Sequence, residues 1–309
     1  MSMLTYTLRR FLGAWPTLLV LVTLSFFLVR AAPGGPFDAE KNLPPEIEAN
    51  LAAKYHLDEP LWQQYLRYLG DLARGDLGPS FKYVDYTVNE LIAQGFPVSL
   101  RLGLAAMAVA LLIGLPAGML AALRQNRPLD HLTMAAAMTG ISVPGFVVAP
   151  LLILVFAVHL GWLPAGGLDG GLRAWVLPVT ALALPLLAYI ARLTRASLIE
   201  VWRSPFIRTA RAKGLPVWLI LIRHALKPTL LPVVSFLGPA LAGVITGSVV
   251  IEAIFGIPGL GRYFVQGALN RDYTLVMGVV VFYGALIIVF NFLVDLLYAL
   301  LDPRVRYGA

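Results

Sequence analysis

The sequence contains no cysteine among its 309 residues. Disulfide bonds, zinc–thiolate sites and cysteine nucleophiles are therefore excluded, and nothing follows about the redox compartment. Charged residues are also scarce, at 13% against 59% hydrophobic residues, and the mean hydropathy is +0.77. A soluble domain of this length needs far more polar surface, so the composition predicts an integral membrane protein.

The sequence also lacks the residue patterns typical of metal, phosphate-binding and catalytic sites. The four histidines are scattered over different segments and form no metal-site spacing: His56, His131, His159 and His224. No lysine directly follows a glycine, as a GxxxxGK[ST] phosphate-binding loop requires. Paired carboxylates and a GxSxG nucleophile are absent from the apolar segments, so we predict no enzyme activity, no metal and no cofactor in this chain.

Two further patterns are weak evidence for nucleotide or nucleic-acid binding. The GIPGLG stretch at residues 256–261 has its glycines in the wrong order for a dinucleotide fingerprint and follows no strand, so we interpret it as an extracytoplasmic turn with an apolar tip. The sequence pI is about 9.7, but the basic residues alternate with apolar segments, so we predict no nucleic-acid partner.

Six apolar segments are long enough to cross a bilayer about 30 Å thick as helices. They cover residues 11–29, 97–123, 131–158, 174–196, 229–254 and 275–301. The first could instead be a cleaved signal peptide, but its apolar run is long and Arg30 follows it, so we favour a retained anchor. An all-α protein with six transmembrane helices, and with both termini on one side, is the predicted fold.

Residues 31–96 form a more hydrophilic excursion, which we interpret as a small helical cap. One amphipathic helix is predicted after Pro45 and another after Pro60, and residues 75–80 form a turn cluster. Thr87 and Glu90 make a capping box for a third short helix ending at Gly95. The predicted regions are thus residues 1–30 with the first span, the cap at 31–96, and a five-helix core at 97–309.

Loop charges predict the orientation. One set of loops and termini has fourteen basic and three acidic residues, whereas the other has ten basic and thirteen acidic residues. The positive-inside rule then places both termini and the loop at residues 199–228 in the cytoplasm, with the cap outside.

Proline and glycine interrupt the predicted spans. Prolines occur in every span except the last, and Gly114–Gly118 and Gly243–Gly247 are GxxxG pairs. Small residues let helices approach closely, and prolines leave kinks that can rearrange. We favour ordinary helix packing for each GxxxG pair, while the prolines favour a pathway that moves.

Few polar groups lie within the spans. Asp295 in the last span is either a proton-relay carboxylate or the partner of Arg192 or Arg195, and we favour the structural pair. Ser235, Thr246, Ser248 and Glu252 are the candidates for lining a translocation pathway.

The loop at residues 199–228 has an Arg-rich stretch, SPFIRTARAKGLP, between two apolar segments. Ser204 and Pro205 predict a helix start, Gly214 predicts its end, and a second short helix is expected from Pro216 to Pro228. Helical spacing places Phe206, Ile207 and Ala210 on one side and Arg208 and Arg211 on another. An apolar knob with a cationic flank suits a groove on a second protein.

This stretch resembles the EAA loop of ABC importer permeases. Arg208, Thr209, Ala210 and Gly214 occupy its positions, although the first two differ from the general pattern, and RTARAKGLP with RHALKP is similar to the version in the peptide/nickel branch. Further stretches resemble B-type permease subunits of oligopeptide importers across residues 4–307: LRRFLGAWPTLLVLVTLSFFLVRAAPG, GDLGPSFKY, GALNRDYTLV and LLDPRVRY.

The resemblance implies a type I ABC importer transmembrane-domain fold with kinked core helices and a coupling helix seated in an ATPase groove. Its residues would be Pro205, Phe206, Ile207, Arg208, Thr209, Ala210, Arg211 and Lys213, ended by Gly214. The implied partners are a C-type permease, two cytoplasmic ATPases that hold ATP and magnesium, and an extracytoplasmic peptide-binding protein. The implied location is the bacterial inner membrane.

Alternative functions stay open from the sequence. Within the family the substrate could be a dipeptide or nickel instead of an oligopeptide. Outside it, a stand-alone proton-coupled transporter has Asp295 as its only support, and leaves the Arg-rich loop unexplained.

Overall fold

A computed structural model describes residues 3–31, 56–83 and 85–301, and side chains from Leu12 onward within these ranges except those of residues 247, 295 and 297–301. The helix predicted after Pro45 lies outside the described residues. Within the described ranges the chain is helical and forms no β-strand beyond one isolated bridge, between Pro79 and Thr87.

Twelve α-helices follow one another along the described chain. They are α1 Met3–Ala31, α2 Leu61–Ala73, α3 Val88–Leu123, α4 Pro128–Ser142, α5 Gly145–Leu152, α6 Leu172–Trp202, α7 Pro205–Ala212, α8 Val217–Ile220, α9 Leu226–Gly247, α10 Val249–Ile254, α11 Leu260–Leu269 and α12 Tyr273–Leu301. Two π-helical segments, Ile153–His159 and Leu221–Ala225, follow α5 and α8 directly.

The predicted spans are confirmed with one change. Five helical stretches have the length and hydropathy to cross a membrane: Leu12–Ala31, Val88–Leu123, Leu172–Trp202, Val217–Ile254 and Tyr273–Val294. The segment predicted as one span at residues 131–158 is instead broken into α4 and α5, which meet at a bend of 103°. Pro144 explains the break, because proline disfavours helical geometry at the preceding residue and Val143 is extended.

Two predicted helix ends were wrong for related reasons. The capping box of Thr87 and Glu90 is present, but α3 continues through Gly95 and Pro97 to Leu123. Gly95 is small because α11 passes beside it: a Cβ there would lie 2.9 Å from the backbone nitrogen of Leu260. Pro228 likewise does not stop its helix. Proline has no backbone N–H to donate, and the π-helical turn before it, Leu221–Ala225, accommodates the lost hydrogen bond.

The core forms where α3 packs along α6. Gly114 and Gly118 lie at this contact, where a Cβ on Gly114 would come within 2.9 Å of the carbonyl oxygen of Leu187 and one on Gly118 would overlap that of Ala191. This confirms close helix packing for the first GxxxG pair. Among the described residues nothing lies within 4 Å of such a Cβ on Gly243 of the second pair, so this glycine makes no close approach there.

The remaining helices cover this pair. α9 packs on α12 and on α6, and α12 also contacts α1. Of the apolar side chains expected at a tip at residues 256–261, Ile257 and Leu260 are fully buried and Pro258 is exposed. The prediction of a turn there is confirmed at Gly256, whose φ is +63°.

Candidate functional site

The start of α7 matches the sequence pattern at the backbone. Ser204 is extended, with φ −67° and ψ 154°, Pro205 is the first helical residue, and the Arg208 N–H donates to the Ser204 carbonyl at 3.2 Å. The Ser204 hydroxyl makes no capping bond, so that part of the prediction was wrong. Proline holds the first turn in helical geometry without needing a hydrogen-bond partner.

The end of α7 follows the glycine rule. Gly214 has φ +74°, and its N–H donates to the Arg211 carbonyl at 2.9 Å. The Lys213 N–H donates to the Thr209 carbonyl at 3.1 Å. A left-handed glycine therefore ends the helix and turns the chain toward α8, as predicted.

The apolar side chains that were predicted to form one knob on α7 differ in their exposure. Ile207 and Ala210 are 0% and 5% exposed, whereas Phe206 is 48% exposed. The expected single knob is therefore wrong: two of the three residues anchor the helix to its own chain. Phe206 lies at the edge of that face, about 100° from Ile207 around the helix. Its ring is the large apolar group that α7 leaves exposed.

Ile207 and Ala210, the buried anchor of α7, contact the ends of three membrane segments. Ile207 and Ala210 belong to a buried cluster whose members come from α3, α6, α8 and the following π-helical turn. The other buried members are Ala122, Leu198, Ile220 and Ala225, with Met119 and Trp202 partly buried beside them. Because interiors are close-packed, a displacement of α7 must move these helix ends with it.

The basic side chains of α7 and of its C-terminal end form an exposed cationic flank. Arg208, Arg211 and Lys213 are exposed, and the Arg211 guanidinium lies 4.7 Å from the centroid of the Trp202 ring. Thr209 is also exposed, and its hydroxyl donates to the Pro205 carbonyl at 3.1 Å. In the described part of the chain no group of histidine, aspartate and glutamate side chains could hold a metal ion. An exposed aromatic ring and exposed cationic side chains on one short helix have the chemistry that suits a groove on a second protein.

An ion pair that the sequence did not reveal lies near this surface. Arg195 of α6 donates to both carboxylate oxygens of Asp130, from Nε at 2.5 Å and from Nη2 at 2.7 Å. Asp130 is only 1% exposed and also accepts the N–H of Asn126 at 2.8 Å. Arg195 is thus bound to the start of α4, and its pairing with Asp295 stays a prediction.

Arg192, another member of the predicted intramembrane pair, contacts a ring on its own helix. The Arg192 guanidinium lies 5.0 Å from the centroid of the Tyr189 ring on the same helix. Asp295 is helical, and its side chain lies outside the described part of the structure. A contact between Arg192 and Asp295 therefore stays a prediction.

Two predicted pathway residues belong instead to a closed hydrogen-bonded group, the Glu252 cluster. Ser99 and Ser248 donate to one carboxylate oxygen of Glu252 at 2.6 and 2.5 Å, and the Gly261 N–H donates to the other at 2.9 Å. The Leu260 N–H donates to the Ser99 hydroxyl at 2.8 Å. Glu252, Ser248 and Ser99 are all 0% exposed. Their polar groups are used within the protein, so they line no open pathway in this conformation.

The other two predicted pathway residues are accessible. Ser235 is exposed on α9, and Thr246 is half-buried near the end of that helix. Each hydroxyl donates to the carbonyl four residues earlier, Ser235 at 3.1 Å and Thr246 at 2.8 Å. Such bonds satisfy the hydroxyls without a partner helix.

Sequence reasoning also missed a buried carboxylate that ties the cap to the last helix. Asp272 is 0% exposed and accepts hydrogen bonds from the Ser80 hydroxyl, from the Thr274 hydroxyl at 3.0 Å and from the Leu275 N–H at 3.1 Å. Asp272 precedes α12, so an N-cap aspartate was a usable sequence signal. Its contact with Ser80 was not, because the two residues are 192 positions apart.

Comparison with protein families gives two matches that together span nearly the whole chain. Residues 114–307 match the model described as "Binding-protein-dependent transport system inner membrane component", and residues 3–103 match its N-terminal companion. Both stretches thus have the pattern of permease subunits.

Full-length relatives agree. The chain is 59% identical to the oligopeptide transport system permease protein OppB of Salmonella typhimurium, over 99% of this chain and all of that protein. It is 58% identical to OppB of Escherichia coli K12 over the same shares, and 46% identical to the dipeptide transport system permease protein DppB of Bacillus subtilis over 98% of each.

Solved structures support the fold. An inward-facing form of the MetNI methionine ABC transporter aligns with a TM-score of 0.59 at 21% identity, covering 69% of this chain and 96% of that one. An amino acid ABC transporter with histidines aligns at 0.53 and 22% identity, covering 68% and 94%. The architecture is therefore that of type I ABC importer transmembrane domains, and the chain belongs to the family of binding-protein-dependent transport system inner-membrane components, the multi-pass permease subunits of ABC importers.

Proposed function

We propose that this chain is the B-type permease subunit of an ATP-driven oligopeptide importer of the bacterial inner membrane. It forms half of the translocation pathway, pairs with a C-type permease, and couples to two cytoplasmic ATPases. An extracytoplasmic peptide-binding protein delivers the substrate. The substrate assignment rests on full-length identity of 58–59% to oligopeptide permeases against 46% to a dipeptide permease.

The mechanism rests on one observation, which is that α7 has a buried side and an exposed side. Ile207 and Ala210 hold the helix to the ends of α3, α6 and α8, while the Phe206 ring and the cationic flank remain exposed. A second protein that binds the exposed side can therefore move several membrane helices at once. This supports α7 as the coupling helix, seated in a groove of an ATPase subunit.

Orientation follows from the loop charges. The loops at the α7 side are strongly basic, so we place α7 and both termini in the cytoplasm and residues 56–83 outside. ATP and magnesium bind to the partner ATPases, and this chain performs no chemistry. Its contribution is a pore with two arrangements.

Transport then follows from a shift in population. ATP binding closes the ATPase dimer, moves both coupling helices and favours the outward-open pore, and hydrolysis restores the inward-open state. Moving a pore from 1:99 to 99:1 between two states requires about 5.5 kcal/mol of differential binding. The ATPase subunits must supply this difference through contacts with α7.

Reconstitution tests the proposal. The native complex is purified with its co-encoded subunits, placed in proteoliposomes with ATP inside and the binding protein outside, and assayed with radiolabelled oligopeptides, dipeptides and Ni²⁺. We expect oligopeptide uptake that requires ATP and the binding protein. Uptake of Ni²⁺ or dipeptides alone would overturn the substrate assignment, and uptake by this chain alone under a proton gradient would overturn the mechanism.

A further inference from the structure

One face of α2 is fixed against α1. The hydroxyls of Thr23 and Tyr65 lie 2.6 Å apart, and the fully buried ring of Phe26 contacts the Tyr65 and Tyr68 rings at centroid distances of 5.2 and 5.9 Å. Burial raises the pKa of Tyr68 to about 12, so its phenol is neutral at physiological pH. α2 therefore has a defined position beside the last turns of α1.

A polar contact fixes the same face at the end of α1. Arg30 donates from Nε to Gln64 Oε1 at 3.0 Å, and its guanidinium lies 3.8 Å from the Phe26 ring centroid. The Gln64 amide in turn donates to the carbonyls of Leu57 and Glu59 at 3.2 and 2.8 Å. These bonds prevent α2 from rotating about its own axis.

The adjacent face of α2 is apolar and uncovered. Trp62 is 61% exposed and Leu66 is 57% exposed, and the two lie one turn apart on one side of the helix. Arg67 and Arg74 point away from that side, the first paired with Glu59 at 2.5 Å. The helix is therefore amphipathic even after its contacts with α1 are made.

The depth of α2 can be estimated from the α1 residue that it reaches. Thr23 precedes Ala31, the last residue of α1, by eight positions, or about 12 Å of helix. Since the hydrocarbon core is about 30 Å thick, the Tyr65 hydroxyl reaches about two-fifths of the way into the span from that end. α2 thus lies at membrane level and not above it.

The uncovered face also continues the lipid-exposed surface of α1. Tyr65 contacts Phe27, with ring centroids 5.5 Å apart, and Phe27 is itself 44% exposed. Leu24 and Leu28 beside it are 56% and 68% exposed. Tryptophan and tyrosine favour the boundary between acyl chains and headgroups, and arginine at such a boundary extends toward water and phosphate.

We propose that α2 is an interfacial helix lying in the membrane surface at the Ala31 end of α1, with Trp62 and Leu66 inserted among lipid acyl chains and Arg67 and Arg74 toward the headgroups. The partner of this face is the lipid bilayer. Lipid contact anchors the segment after α1, so α2 stays at the membrane surface while the pore changes state.

Site-directed spin labelling tests this directly, because the chain has no native cysteine. Single variants Trp62→Cys and Leu66→Cys are labelled in the native complex in lipid nanodiscs, and collision with oxygen and with a water-soluble nickel chelate is measured. Leu28→Cys on α1 is the acyl-chain reference, and Arg74→Cys, which extends toward the headgroups and water, is the polar reference. Both reference side chains are largely exposed, at 68% and 82%.

We expect the labels at positions 62 and 66 to show an oxygen-to-nickel collision ratio several-fold above that at position 74 and near that at position 28. A ratio equal to that at position 74 would show an aqueous surface and overturn the proposal. Shielding from both reagents, whether constant or only after the binding protein is added, would show a protein partner and also overturn it. Neither result bears on oligopeptide uptake, which is measured separately.

Discussion

Arg195, in the C-terminal part of α6, donates two hydrogen bonds to Asp130 at the start of α4, at 2.5 and 2.7 Å. The pair lies on the same side of the chain as α7, whose anchor also reaches α6 through Leu198. α4, α6 and α7 are thus linked by one ion pair and one apolar cluster. We expect the three to move together when α7 is displaced.

Breaking this ion pair should destabilise the chain. Each single variant, Asp130→Asn or Arg195→Gln, leaves the remaining charged residue without its ion-pair partner in a mostly buried position. Removing one partner of a fully buried pair costs about 3–5 kcal/mol, and we expect about 2–3 here because Arg195 is 25% exposed. A drop in the thermal midpoint of the purified complex measures it. The double variant should cost less than the two single losses added, whereas strict additivity would show that the two residues do not interact.

The two GxxxG pairs should respond differently to a methyl group. Gly118→Ala introduces a Cβ that overlaps the backbone of α6, and overpacking of this kind costs about 1–3 kcal/mol. Gly243→Ala is the matched control, because its Cβ would meet nothing within 4 Å in the described part of the chain. Thermal midpoints should fall for the first variant only. Equal stability of the two would contradict the close packing of α3 on α6.

Thiol labelling should separate the predicted pathway residues. Ser248→Cys lies in the Glu252 cluster at 0% exposure, whereas Ser235→Cys is exposed on α9. We expect a water-soluble thiol reagent to modify position 235 and not position 248 in the resting complex. Modification of position 248 that appears during ATP turnover would return Ser248 to the pathway, and modification at rest would contradict the closed cluster.

The carboxylate of Glu252 should be needed to hold the turn before α11. In Glu252→Gln, an amide nitrogen replaces one carboxylate oxygen, so either Gly261 or the two serines lose an acceptor. Leaving a buried donor unsatisfied costs about 1–3 kcal/mol. Hydrogen exchange at residues 256–261 should therefore become faster. Thr246→Val, which removes only a bond within α9, should leave that exchange unchanged.

Most of the architecture could be predicted from the sequence, because long apolar runs determine the spans directly. Five of the six predicted spans appear as helical stretches, and α2 begins at Leu61, directly after Pro60. The errors came from residues whose role depends on a neighbour in space. Gly95 and Pro228 have the pattern of helix ends, but α11 packs on the first and a π-helical turn accommodates the second.

The site was predicted in position and not in detail. Ser204, Pro205 and Gly214 were sufficient to place α7. The burial of Ile207 beside an exposed Phe206 was not predictable, because periodicity gives a face and not the width of the surface that covers it. The Asp130–Arg195 pair and the Glu252 cluster join residues 65 and 153 positions apart, which no local pattern reveals.

The buried Ile207 and the exposed Phe206 of α7 give a matched pair of variants. Ile207→Ala removes part of a fully buried side chain, and such truncations cost about 2–5 kcal/mol, so the thermal midpoint of the complex should fall. Phe206→Ala truncates a ring that is 48% exposed, so the fold should be retained while ATP-driven uptake falls. Normal uptake by Phe206→Ala would show that the ring has no part in coupling.

The most direct test places the only cysteine of this chain at position 206, since the native chain has none. In Phe206→Cys complexes in inverted membrane vesicles, a short bifunctional thiol-to-amine reagent should join this chain to an ATPase subunit, and nucleotide should change the yield. Modification of position 206 by a membrane-impermeant thiol reagent applied outside intact cells, without any cross-link to an ATPase, would contradict α7 as the coupling helix.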